Sequence, residues 1–312
     1  MNSIMDLISA LIHYFSITRL FGLFPFEIKS LNEINILKIS KKFLTYSWIF
    51  FIISNLIFII QLCGMLYMFT LKTEIPVFQS CLALFHHMLV WLHCGTFSWS
   101  SVNNAEIICK MWLEVNRVYF ILSQMINKPV NLQPIKILVI IFITFPLISI
   151  LIATLLQIFS NWNVFVLALT YLPSSLVSGL YITQFLIRSC VIYNFYYTIN
   201  CLLKDKRKIV IKCFRRNSPL QYLKICDEIL KDFSDTMNDI FSHSQLWFIA
   251  QTFLALYFVV LHYVIQDDTE FHNRSNIYFC TFYAFYLWLF CSCCAYTKSE
   301  VKIIFCLLSL YM

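Results

Sequence analysis

Six apolar segments, each of about 20 residues or more, divide the chain at about Phe43–Phe69, Ile75–Phe97, Ile135–Phe159, Val164–Tyr193, Gln245–Ile265 and Ile277–Tyr296. At about 1.5 Å of rise per residue, each is long enough as a helix to cross a hydrocarbon layer of roughly 30 Å. Strands of a membrane barrel run about 10 residues and alternate in polarity; these segments do neither. Inside lipid every backbone N–H and C=O needs a partner within the segment, which leaves helices. The expected fold is therefore all-α, a polytopic helical membrane protein of six spans forming one transmembrane domain over residues 1–312. A chain that is 60% hydrophobic and 12% charged has too little polar surface to enclose that much apolar material in water.

The basic residues fall in every second gap. The N-terminal stretch carries Arg19, Lys29, Lys38, Lys41 and Lys42, and the second gap Lys110, Arg117 and Lys128. The fourth gap, 194–244, holds nine, from Lys204 to Lys231, and the tail adds Lys298 and Lys302, whereas the alternate gaps hold only Lys72 and Arg274. Basic residues are retained on the cytosolic side, so both termini are expected inside and 194–244 is expected to be a large cytosolic loop. The one Asn-x-Ser/Thr sequon, at Asn273, lies in a gap that charge alone places outside, which makes Asn273 a candidate glycosylation site. The net charge of +7 sits in cytosolic segments, where it follows from sidedness and attraction to anionic lipid; no nucleic-acid partner is implied.

None of the 13 cysteines falls in an outer gap, so no structural disulfide is expected. Cys291, Cys293 and Cys294 cluster at the inner end of the sixth segment, where burial is a plainer reading than palmitoylation. The first 26 residues lack a basic start and a cleavage site and are broken by Asp6, His13 and Arg19, which argues against a signal peptide. They read as an amphipathic helix lying at the cytosolic interface, stopped by Gly22 and Pro25. In the fourth gap, Leu223, Cys226, Leu230, Phe233, Met237 and Ile240 repeat at 3-4-3-4-3 spacing. That is one buried seam of a helix continuing the fifth span into the cytosol, packed against its own chain or a neighbouring subunit.

Chemistry-bearing residues are sparse. His86, His87 and His93 sit on the second segment, but the chain's seven histidines form no further cluster, so neither a metal centre nor a cofactor is expected. An ionisable group at mid-membrane costs about 2.5–3.5 kcal/mol and usually marks function. Arg188 lies near the cytosolic end of the fourth segment, from which it is expected to snorkel to the interface. Asp, Glu and Lys are missing from mid-membrane, which removes the usual coupling groups of a proton- or sodium-driven six-helix transporter. The G-protein-coupled class is disfavoured by inverted entry and by the lack of an Asp-Arg-Tyr triplet or an Asn-Pro-x-x-Tyr run. Tyr171, Tyr257, Tyr263 and Tyr283 lie at outward depth and combine apolar rings with hydroxyls, which makes them the candidate ligand-binding residues for a small organic molecule. No enzymatic chemistry is expected.

The run Arg19-Leu-Phe-Gly-Leu-Phe-Pro-Phe26, the long basic gap leading through the Leu223–Ile240 seam into Phe241-Ser-His-Ser-Gln-Leu-Trp247, and the cytosolic N-terminus resemble, in that order, the insect gustatory receptor family of the insect chemoreceptor superfamily. The resemblance covers most of residues 19–300. It implies a seven-helix subunit of a ligand-gated cation channel, a homo- or hetero-tetramer in the plasma membrane of sensory neurons, with small-molecule tastants bound among the outer halves of the helices. An odorant receptor of the same superfamily is the near alternative. The family's closing Thr-Tyr-x5-Gln-Phe run has no counterpart here, and only 16 residues follow Tyr296. The expectation is a chain truncated before the pore helix and non-conducting alone.

Overall fold

The computed structural model describes residues 7–31, 34–71, 77–141, 143–144, 148, 162–204, 219–265, 284–285 and 287–301. Helix dominates, in agreement with the all-α expectation. Two short helices, α1 (Leu7–Ala10) and α2 (Ile12–Leu20), lead into a hairpin of β1 (Phe26–Leu31) and β2 (Ile34–Ile39). Long helices follow: α3 (Lys41–Leu71), α4 (Val77–Asn103), α5 (Ala105–Ile126), α6 (Trp162–Lys204) and α7 (Pro219–Ile265). Residues 133–141 and 287–301 are helical as well.

Four of the six apolar segments thus lie largely within α3, α4, α6 and α7. Most of the third, and the first part of the sixth, lie outside the described residues. Among the described residues one stretch, Lys41–Tyr67, is by itself long and apolar enough to cross a membrane, with a mean hydropathy of 2.4 and almost none of it buried. The fourth gap is not a loop over 194–244. α6 runs on to Lys204 and α7 begins at Pro219, because the apolar spacing of each segment continues past its expected end. Leu223, Cys226, Leu230, Phe233 and Met237 are buried within this chain. The seam then passes from Ile240, half-buried, to Phe241, which is 1% exposed. A straight helix of 3.6 residues per turn drifts off a strict seven-residue repeat in this way.

The N-terminal segment is a second correction. It does not lie on a bilayer surface: Leu7, Ala10, Leu11, Tyr14 and Phe15 are all but fully buried among the chain's own helices. The Leu7 amide donates to Asn116 Oδ1 on α5 at 3.2 Å, which satisfies one of the unpaired donors at a helix start. In the hairpin, Phe26 and Ile28 alternate with Glu27 and Lys29, a period of two that suits a strand with one covered face. Phe26 pairs with Ile39 and Ile28 with Leu37, while Glu27 lies opposite Lys38.

α5 carries the second buried seam. Ile108, Trp112, Val115, Tyr119 and Leu122 repeat at 4-3-4-3 spacing and are buried against α7, α2 and β2. Asn127 closes the helix in the left-handed conformation at φ +55°, its amide donating to Gln124 O and Ser123 O. Burial in this core pushes the Cys226 thiol up to about 12 and the Cys109 thiol up to about 11.

The outward faces of three helices change chemistry at one level. On α3, Lys41, Lys42 and Thr45 give way to Ile49, Ile52, Leu56 and Ile59. On α7, Lys224, Glu228, Lys231, Asp235 and Asp239 give way to Leu246, Phe253, Tyr257 and Val260. On α4, which runs the other way, Phe85 and Met88 precede Trp99 and then Asn103. Direct contacts tie the three transitions together. The Trp48 and Trp99 rings meet edge-on at 5.3 Å, Phe97 lies 5.4 Å from Phe241, and Ser244 Oγ is 3.2 Å from Thr96 Oγ1.

Candidate functional site

Two arrangements near this level bring polar groups into apolar surroundings. The first is a shallow, open groove between α3, α4 and α6 that encloses about 20 Å³. Phe51, Phe58, Trp91 and Val177 supply apolar wall, and Gly95 keeps the α4 side low. A Cβ added at Gly95 would meet only Asn55 Oδ1, at 3.8 Å. The polar element is Asn55 itself. Its Oδ1 accepts from Trp91 Nε1 at 2.8 Å, and its Nδ2 donates to Phe51 O at 2.8 Å. These two bonds fix the orientation of the amide. Ser54 and Ser98 add hydroxyls at the edge. Mostly apolar walls with a few placed polar groups are the chemistry of small-ligand sites, but the enclosed space holds little more than one water-sized group.

The second arrangement is the interface of α4, α6 and α7 beneath the groove. His93 is fully buried, with Nδ1 at 3.0 Å from Ser244 O. A backbone carbonyl only accepts, so the Nδ1 position carries the proton and Nε2 of the neutral ring is an acceptor. The Tyr181 ring meets His93 edge-on at 4.7 Å and Phe97 at 5.1 Å. Thr96 Oγ1 turns back onto Leu92 O at 2.6 Å while accepting from Ser244. His93 therefore acts here as a cross-link between α4 and α7. Among the described residues no group of three or more His, Cys, Asp or Glu is placed to hold a metal ion.

Arg188 does not snorkel. It is 3% exposed and faces α7, where Nη2 donates to Asn238 Oδ1 at 2.9 Å and the guanidinium lies 5.0 Å from the Phe185 ring centre. The reason is that α6 continues for four further turns, so Arg188 sits within a packed helix and not at its frayed end. Lower on the same helix, Tyr196 OH donates to Asp227 Oδ1 at 3.3 Å, and Asp227 also receives Lys231 Nζ at 2.7 Å. Burial, then the neighbouring Asp227 carboxylate, raises the Tyr196 phenol well above its ordinary range. Asn200 Nδ2 donates to Glu300 Oε2 at 2.6 Å, tying α6 to the final helical run.

The candidate tyrosines fall differently. Tyr257 is 49% exposed on the outward apolar stripe of α7, between Phe253 and Val260. Tyr171 lies on α6 and Tyr263 on α7, with side chains outside the description, and Tyr283 and Asn273 lie outside the described residues. Asn55, Trp91 and Gly95 are the residues that sequence reasoning passed over. Two amides, Asn55 and Gln61, inside an otherwise largely apolar 27-residue segment are the signal that points to this face of α3. Compared with known proteins, the chain matches no protein-family model and no curated protein sequence.

Proposed function

We propose that this chain is a polytopic membrane chemoreceptor of the gustatory-receptor type, a subunit of a ligand-gated cation channel for small tastants in the plasma membrane of sensory neurons. The observation that carries the membrane part is the common level at which α3, α4 and α7 change from charged or polar to apolar outward faces. A water-soluble bundle has no reason to segregate its exposed charges along the length of single helices. A bilayer does, because a charge inserted at mid-depth costs about 2.5–3.5 kcal/mol. Trp48 and Trp99 at the transition suit the interfacial preference of indole rings. The N-terminal helices, the hairpin, α5 and the first half of α7 then form a cytosolic domain beneath the spans, in keeping with the basic residues they carry.

The chemoreceptor part rests on the resemblance of residues 19–26 and 223–247, together with the Asn55–Trp91 groove as a place for a small, largely apolar ligand. A tetramer with like or related subunits supplies the conducting path.

Two results test the reading. An epitope tag at the N-terminus is expected to stain only after cells are permeabilised, and staining of intact cells would overturn both the topology and the family reading. Co-expressed with related subunits, the chain is expected to support a tastant-evoked cation current. Gly95→Leu, which puts a side chain into the groove, is then expected to abolish that current at unchanged surface level, while Gly95→Ala leaves it within about twofold, its Cβ meeting nothing closer than 3.8 Å. A current indifferent to Gly95→Leu would remove the groove as the ligand site.

A further inference from the structure

Arg188 is a buried cation with too few acceptors. Removing a guanidinium from water is costly unless an anion or a full set of hydrogen bonds replaces the solvent. Among the described residues its one side-chain hydrogen bond goes to the neutral Asn238, and none of the ion pairs involves it. Nη1 has no partner among them. The titratable groups around the guanidinium are Tyr181, Cys294 and Tyr14, all neutral near pH 7.

The surroundings repeat the imbalance. Tyr14 OH on α2, Tyr181 OH and Gln184 Nε2 on α6 are likewise buried without a partner among the described residues. Their residues are 0%, 1% and 1% exposed. Tyr181, Gln184 and Arg188 stand at i, i+3 and i+7, on one face of α6. Each of these four atoms can donate a hydrogen bond, and the guanidinium adds a full positive charge. Ordered water would leave that charge uncompensated, whereas an anion accepts from every donor at once.

We propose that Arg188, Gln184, Tyr181 and Tyr14 form a binding site for one compact monovalent anion, either a halide such as chloride or a carboxylate. Arg188 supplies the charge, and the two phenols and the amide supply directed donors. The site lies beside Asn238, within the charged section of α7 between Asp235 and Asp239, and Cys294 on its flank is exposed, so the anion enters from the cytosolic side. The proposal does not depend on which tastant, if any, the groove accepts.

The test uses the purified full chain in detergent at fixed pH and ionic strength, with sodium chloride or sodium acetate exchanged for sodium gluconate. The melting temperature is expected to rise saturably with chloride or acetate, by about 5 °C at an anion concentration about 100-fold above the half-point. Acetate acting like chloride identifies a carboxylate-compatible site, and chloride acting alone identifies one of halide size. Tyr181→Phe and Tyr14→Phe each remove a single donor and are expected to move the half-point upward by about tenfold. Arg188→Met is expected to lose the anion dependence altogether. If Arg188→Met does not fold, the two phenylalanine variants decide. Equal melting temperatures in chloride, acetate and gluconate, or an anion response that is the same in wild type and both phenylalanine variants, would overturn the proposal.

Discussion

Trp112→Ala is expected to destabilise the protein by about 3–5 kcal/mol, the range for deleting a buried large aromatic side chain. Trp112 is 1% exposed and is the largest fully buried side chain described. It meets Phe15 of α2 edge-on at 5.6 Å and Phe233 of α7 at 5.0 Å, so one ring holds the N-terminal segment, α5 and the first half of α7 together. The alanine variant loses both aromatic contacts and opens a cavity in a region that three separate elements would have to move to close. Measured on the detergent-purified protein, the melting temperature is expected to fall by roughly 10 °C. Trp112→Phe keeps a ring in place and gives up an indole N–H that has no partner among the described residues, so its cost stays below about 1.5 kcal/mol. Ile107→Ala, on the 46% exposed side of the same helix, is expected within about 0.5 kcal/mol of wild type. A Trp112→Ala protein that melts with the Ile107→Ala control would show that α2, α5 and α7 are not held together by this cluster.

What is legible in the sequence is the face each helix turns inward. The spacing of Leu223, Cys226, Leu230, Phe233 and Met237 identifies a buried stripe directly, because apolar periodicity is a local property. The same 4-3-4-3 rhythm runs through Ile108, Trp112, Val115, Tyr119 and Leu122. It hides in a segment whose Lys110 and Arg117 mark sidedness, and a gap between spans is easily taken for a linker. The β1–β2 hairpin rests on an alternation only a few residues long, Phe26-Glu27-Ile28-Lys29, just past the Gly22 and Pro25 at which the N-terminal helix is expected to stop.

Which helices meet is a different kind of information. The Asn55–Trp91 bond joins residues 36 apart, Arg188–Asn238 residues 50 apart, and His93–Ser244 residues 151 apart. Nothing in the spacing of any one helix encodes those pairings, which depend on crossing geometry. Hence composition alone sends Arg188 toward the interface, while packing against Asn238 and Phe185 keeps it inside. Tyr257 shows the same limit from the other side. Its depth and chemistry recommend it as a ligand contact, but the turn of α7 directs it outward beside Phe253 and Val260.

Gly22→Ala is expected to be the most damaging single-methyl change near the N-terminus, at about 2–5 kcal/mol. Two costs combine. Gly22 has φ +67°, where an L side chain pays about 1–2 kcal/mol for the left-handed conformation. An added Cβ would also lie 2.8 Å from Phe50 Cβ and 2.9 Å from its Cγ and Cδ1, and overpacking of this kind costs about 1–3 kcal/mol. The close approach is imposed by the rest of the junction. Tyr46 OH donates to Leu20 O at 2.7 Å, and the Arg19 guanidinium lies 4.4 Å from the centre of the Phe43 ring. Phe43, Tyr46 and Phe50 are one face of α3, so the end of α2 is seated along that face and the chain has no room to back away. The two costs separate in a double-mutant cycle. Phe50→Ala removes Cγ and Cδ1 but keeps Cβ, so in that background Gly22→Ala is expected to lose part of its steric cost and retain the conformational one. Melting temperatures of the four proteins give the coupling. Independent, additive effects would mean that Gly22 is required only for its backbone conformation. A coupling of about 1 kcal/mol or more would place the α2–α3 contact, within the segment Arg19–Phe26, among the features that fix how the N-terminal helices join α3.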